Sequence, residues 1–165
     1  MLTKKVEEAL NSQLKLEAES SQAYLAMASW AEIHGLNGVS QFLYTHADEE
    51  RAHMLKLFGY INDRGGHAIV PALEQPQIKF ENVKNVFESV LEHEEGVSKS
   101  INNLVGICID ERDFTTQNFL QWYVAEQIEE ESLARTILDK LEMLGDDKAS
   151  MYMFDRDIMS LRTAE

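Results

Sequence analysis

The sequence predicts an all-α fold: a four-helix bundle with one long crossover and a short fifth helix. Three observations carry that expectation. Apolar residues recur in steps of three and four along four long segments, which puts each set on one helical face. Only 2 Pro and 8 Gly interrupt 165 residues rich in Ala, Leu, Glu, Lys and Gln. The one long stretch without helical periodicity lies between the second and third segments. A chain of this length forms one domain with a sizeable core, so residues 1–165 are expected to make a single unit, the bundle occupying about 4–144.

The first helix, about residues 4–33, carries Leu10, Leu14, Ser21, Tyr24, Ala28 and Ala31 on one stripe. After a short break at His34-Gly35-Leu36-Asn37, the second helix, about 38–64, carries Val39, Leu43, Leu57 and Ile61. So short a connection makes these two antiparallel neighbours. Gly65-Gly66 stops the second helix, and Pro71 and Pro76 keep the following residues out of helix. Extended at about 3.3 Å per residue, residues 65–81 span roughly 50 Å. A helix of about 27 residues is roughly 40 Å long. The linker therefore runs back along the bundle and starts the third helix parallel to the second, the connectivity of bundles with a long crossover. That third helix, about 82–109, carries Val83, Phe87, Val90, Val97, Ile101, Leu104 and Cys108. The fourth, about 114–144, follows a short reversal and carries Leu120, Tyr123, Ala134, Ile137, Leu141 and Leu144. Beyond a Gly145-Asp146-Asp147 break, MYMFDRDIMS is expected as a short fifth helix at about 147–160.

Charge and composition exclude several roles. A net charge of −14 argues against nucleic acid or an anionic membrane as partner, since both demand a basic face. No segment has the roughly 18 apolar residues of a membrane helix. The N-terminal MLTKKVEEALNSQ lacks an apolar signal region, and the single Cys108 suits a reducing compartment, so a cytoplasmic protein is expected.

Chemistry enters where the apolar stripes are interrupted. Glu17 interrupts the first, His46, Glu50 and His53 the second, Glu94 the third, and Gln127 and Glu130 the fourth. Glu17, Glu50, Glu94, Gln127 and Glu130 lie about 12 to 16 residues from the start of their helices, so they share one layer whichever way the helices run. A buried carboxylate without a partner costs several kcal/mol, and like charges nearby make it worse. No Lys or Arg stands in these seams to neutralise them. A pair of divalent cations would, and Glu and His suit iron, manganese or zinc.

Flanking residues carry weaker signals. His46, one turn before Glu50, reads as a hydrogen-bonded core histidine rather than a ligand, and His93 as a surface residue. Cys108 fits a buried apolar position. Tyr24 is either a polar-tipped core residue or a redox neighbour of the metals. Glu49, Glu126 and Glu129 read first as exposed helix charge, with a more exposed third cation site as the alternative.

Glu17, Glu50-Arg51-Ala52-His53, Glu94 and Gln127-Ile128-Glu129-Glu130 together resemble the ferritins. The strings HADEERAHM and FLQWYVAEQIEEE look particularly like the prokaryotic non-haem members, and the resemblance covers nearly the whole chain. It implies a ferritin-like di-iron bundle that assembles as a homo-oligomeric cage of 24 subunits. Each bundle would act as a ferroxidase, oxidising Fe²⁺ with O₂ or H₂O₂ and passing Fe³⁺ to a stored mineral. Carried over by position, Glu17, Glu50 and His53 would bind one iron, with Glu50 bridging. Glu94 and Glu130 would bind the second, with Gln127 nearby as a hydrogen-bonding group and Tyr24 beside the centre. Glu49, Glu126, Glu129 and Glu130 match an extra iron site, and the fifth helix would line four-fold axes. Arg51 and Ala52 stand where a haem-binding methionine falls in bacterioferritins, so no haem is expected. Gln117 and Leu120 replace the acids that line the three-fold channels of animal cages. The rival expectation is a non-storage di-iron oxidoreductase acting on a small substrate, which would need a substrate pocket and would form no mineral-filled shell.

Overall fold

The structure, a computed structural model, describes residues 2–145 and 147–163, with Thr163 described by its backbone alone. Among these residues all regular structure is helical. The helices are α1 (Lys4–Ile33), α2 (Asn37–Asp63), α3 (Val83–Asp110), α4 (Phe114–Leu144) and α5 (Lys148–Asp157), followed by a 3₁₀ segment, Ile158–Thr163. The four long helices match the expected spans to within one residue at each end. The fifth stops short of 160. There the Ser160 hydroxyl donates to the Asp157 carbonyl at 2.6 Å, a local bond that competes with helical pairing and accompanies the tighter winding. Asp146, within the expected break, lies outside the described residues.

Four helices start with a side-chain cap of the usual chemistry. Thr3, Asn82, Asp113 and Asp147 each accept from a backbone N–H three residues on. The exception is α2, whose first turn follows Leu36, a residue that cannot cap. Its donor is met from far away in sequence: Asp155 Oδ1 of α5 accepts from Val39 N at 2.9 Å. The approach is so close that a Cβ at Gly38 would overlap the Asp155 carbonyl. Glycine at 38 is thus what lets α5 seat on the start of α2.

The turn after α2 needs Gly65 at φ +77, in the left-handed region, while Gly66 N donates to Ile61 O and closes the helix end. The crossover is then held against α1 by Asn11. Its side chain donates to the His67 carbonyl at 3.1 Å and accepts from Ile69 N at 2.8 Å.

The core divides into two apolar clusters, and their order along each helix gives the topology. One holds Ala28 and Ala31 of α1, Val39 and Leu43 of α2, Phe87 of α3 and Ile137 of α4, with Phe154 and Ile158 beneath the C-terminal segment. The other holds Leu10 and Leu14, Leu57 and Ile61, Ile101 and Leu104, and Leu120. The chain passes from the second cluster to the first along α1 and α4, and from the first to the second along α2 and α3. Hence α2 and α3 run parallel, as the long crossover requires. Cys108 is buried in the second cluster, and desolvation pushes its thiol up to about 11. No described helix is long and apolar enough to cross a membrane.

Candidate metal centre

Between the two apolar clusters every long helix contributes polar side chains, and those are the expected positions. Glu17, Glu50 and Glu94 are each only 1% exposed, and His53 and Gln127 are also buried. Glu130 is nearly so, with a side chain 12% exposed. Their donor atoms gather into two groups. Glu17, Glu50 and His53 form one, with His53 Nδ1 3.9 Å from Glu17 Oε2 and 3.7 Å from Glu50 Oε2. Glu94, Glu130 and His46 form the other, His46 Nε2 lying 3.4 Å from Glu94 Oε1 and 3.3 Å from Glu130 Oε2.

The environments of the two groups differ. Glu17 Oε2 and both oxygens of Glu50 have no hydrogen-bond partner among the described residues. Gln13, a buried residue that the apolar pattern passed over, donates to Glu17 Oε1 at 2.8 Å. It lies one turn from Glu17 on the same face, and that spacing was the available signal. Burial and the charge of Glu50 hold the Glu17 carboxyl well above its ordinary range. Burial and the charge of Glu94 push Glu50 up to about 8. Burial likewise raises Glu130.

Glu94 goes the other way. Burial alone would raise it, but hydrogen bonds from His46, Tyr24 and Gln127 outweigh that and leave it lowered. The Tyr24 hydroxyl donates to Glu94 Oε1, and Gln127 Nε2 donates to Glu94 Oε2 at 3.0 Å and to the Glu94 carbonyl at 3.1 Å. The amide of Gln127 is therefore turned to Glu94 as a donor. Tyr24 packs its ring 4.7 Å from that of His46 and 6.0 Å from that of His93. His93 is accordingly half-buried and not the surface residue its spacing suggested, because the face of α3 beside Glu94 lies against Tyr24. His53 meets the Trp122 ring at 5.2 Å, and the Tyr123 hydroxyl donates to its backbone carbonyl at 2.8 Å.

His46 is hydrogen-bonded in the core, as its stripe position suggested, and its Nε2 also faces Glu94 and Glu130. Glu49, Glu126 and Glu129 line a cleft of about 990 Å³ together with His53, Glu130, Leu161 and Arg162. Glu126 is half-buried and Glu129 exposed. Arg162 corrects the expectation that no basic side chain reaches the seams. From the 3₁₀ segment it pairs with Glu49 and approaches His46 Nδ1 to 3.1 Å. Desolvation opposes the effect, yet the bonds from His46 and Arg162 hold Glu49 down at about 2. Sequence spacing could not reveal this contact, because it joins residues 116 positions apart through the docking of α5.

The donor set suits a metal. Unpartnered buried carboxylate oxygens beside an imidazole nitrogen are the ligands that iron, manganese and zinc accept. Cations there would replace repulsion among four acids with attraction.

A family model described as a ferritin-like domain matches residues 7–144. The chain is 44% identical to a "probable bacterial non-heme ferritin-like protein" of Haemophilus influenzae, over 99% of both chains. It is 40% identical to a bacterial non-heme ferritin of Campylobacter jejuni, over 98% of this chain and 96% of that one. Its fold matches the open pore ferritin of Archaeoglobus fulgidus with a TM-score of 0.94 at 40% identity, covering 96% of this chain and 98% of that one. The chain therefore belongs to the ferritin family of iron-storage proteins, in its bacterial non-haem type.

Proposed function

We propose that this chain is the cage subunit of an iron store and a ferroxidase, taking Fe²⁺ as substrate at a dinuclear centre. The observation that carries the reading is the pair of donor groups, Glu17 with Glu50 and His53, and Glu94 with Glu130 and His46, buried in the layer between the apolar clusters with oxygens that lack partners among the described residues. Glu17, Glu50 and His53 hold one Fe²⁺. Glu94 and Glu130 hold the second, and Glu50 serves both. Two Fe²⁺ supply the two electrons that reduce O₂ to H₂O₂, or H₂O₂ to two molecules of water, with two protons taken up in either case. The chain's own part is to bind the two ions side by side, to exclude water with the apolar clusters above and below, and to stabilise Fe³⁺ through carboxylate charge.

Tyr24 and Gln127 orient Glu94 from opposite sides and keep it ionised, ready for the second ion. Glu49, Glu126 and Glu129 form a more hydrated accessory site on the cleft side, from which Fe³⁺ passes to the mineral. The family supports a closed homo-oligomer, and we take 24 subunits as its size, in the cytoplasm, without haem. Electron microscopy and particle sizing after aerobic Fe²⁺ loading test the reading. Electron-dense cores inside uniform shells are expected. Oxidation without cores, or turnover of an organic substrate in particles lacking a shell, would overturn it.

A further inference from the structure

Glu49, Glu126 and Glu129 line one cleft, yet they do not converge as the acids of the centre do. Among the described residues, donor atoms near enough to share one ion gather in the two groups of the centre and not among these three. Glu49 meets a cation that the chain itself supplies, since one guanidinium nitrogen of Arg162 pairs with its Oε2. The centre has no such cation: among the described residues, the ion-pair partners of Glu17, Glu50, Glu94 and Glu130 are histidines. Arg162 is held in place. Its side chain is 13% exposed, its guanidinium carbon lies 5.0 Å from the centre of the Phe42 ring, and the neighbouring Leu161 packs against the first apolar cluster. A guanidinium keeps its charge at any pH at which a protein is folded. An ion bound to Glu49 would stand about 2.0–2.2 Å from a carboxylate oxygen, and so directly against that charge. Two cations at such range repel, and salt screens a partly buried pair poorly.

We propose that Arg162 is the resident cation of the accessory site: a metal ion reaches Glu49 only by displacing the guanidinium, and the 3₁₀ segment that carries it moves away with it. The inference rests on the accessory-site reading above and deepens it. It makes the accessory site the last to fill, because its charge is already met while the acids of the centre await metal. It also ties that site to the docking of α5, since Arg162 arrives through the seating of Asp155, Phe154 and Ile158 and belongs to none of the four long helices.

The test is a calorimetric titration of the metal-free, assembled protein with Zn²⁺, carried past two equivalents per subunit. It compares wild type, Arg162→Met, Arg162→Lys and Arg162→Met combined with Glu49→Gln. Methionine keeps an apolar stem against Phe42 and removes the charge, whereas lysine keeps the charge. Relative to the first two equivalents, the third should bind at least tenfold more tightly in Arg162→Met than in wild type. Arg162→Lys should stay near wild type, and Glu49→Gln should abolish the gain. Hydrogen exchange gives a second readout: in wild type, exchange at residues 158–162 should accelerate as the third equivalent fills, and not as the first two do. A third equivalent that binds wild type and Arg162→Met alike, a tightening shared equally by all three, a gain that survives Glu49→Gln, or full protection of 158–162 with the third ion bound would each overturn the inference and leave the dinuclear reading standing. No third equivalent in any variant would remove the accessory site together with the inference.

Discussion

Tyr24 and Glu94, 70 positions apart in sequence, are joined by a buried hydrogen bond from the phenol to a carboxylate oxygen. That bond, with those from His46 and Gln127, makes Glu94 the acid of the layer that burial does not neutralise. Hydrogen bonds to a charged group contribute about 1.5–3 kcal/mol, so Tyr24→Phe should lower the stability of the metal-free bundle by roughly that amount. Thermal melting without metal checks it. Two Zn²⁺ should still bind per subunit, and an unchanged melting temperature would mean the bond contributes nothing.

Glutamine replacements should separate the two groups. Glu50 has two oxygens without a partner and a carboxyl pushed up to about 8, so Glu50→Gln removes repulsion and is expected to stabilise the metal-free protein. Glu94→Gln removes the charge that donors hold on both oxygens, Tyr24 and His46 at Oε1 and Gln127 at Oε2, and turns one of those oxygens into an NH₂ group, so it is expected to destabilise the metal-free protein. Both should slow fast Fe²⁺ oxidation at least tenfold, about 1.4 kcal/mol of barrier, because each loses an anionic oxygen ligand. Stopped-flow oxidation beside metal-free melting decides. Equal stability changes in the two variants would refute the asymmetry.

Stability should fall with rising pH when metal is absent. Near the ordinary value of 4.5, Glu50 begins to lose its proton in the unfolded chain, whereas the folded chain holds it up to about 8. Across that window the folded state binds more protons than the unfolded state, so this contribution is full below 4.5 and lost as pH rises to 8. The raised Glu17 carboxyl acts in the same sense, while the lowered Glu94 and Glu49 act oppositely and only at acid pH. The stability of wild type relative to Glu50→Gln should therefore decline between pH 5 and 8, and saturating Zn²⁺ should remove the decline. Denaturant titrations at several pH values would measure it, and a flat difference would contradict the burial of an unpartnered acid.

Gly38→Ala should unseat the C-terminal segment while sparing the bundle. The added methyl meets the Asp155 carbonyl, so α5 must move away, taking with it the cap on Val39. Losing a cap costs about 1 kcal/mol, and the packing of Phe154 and Ile158 is lost as well. Far-ultraviolet dichroism should retain nearly all helix, hydrogen exchange at residues 148–162 should accelerate, and two Zn²⁺ should still bind. Normal protection of α5 in this variant would show that the contact yields elsewhere.

Much of this protein is determined by short-range pattern. Steps of three and four residues, read with Gly65, Pro71 and Pro76, are enough to place four helices and one crossover, because helix formation and its interruption are local. The same periodicity locates Glu17, Glu50, His53, Glu94, Gln127 and Glu130 in one layer, since an acid on an apolar stripe keeps its face whatever the stripe packs against. Tertiary structure alone decided how those acids differ. Whether a carboxylate is left bare, as Glu50 is, or surrounded by donors, as Glu94 is, depends on side chains from other helices, and no spacing within one helix encodes that. The half-burial of His93 and the arrival of Arg162 at His46 and Glu49 have the same origin. Both follow from docking between elements far apart in the chain, where the geometry of contact, and not the order of residues, sets which charges meet.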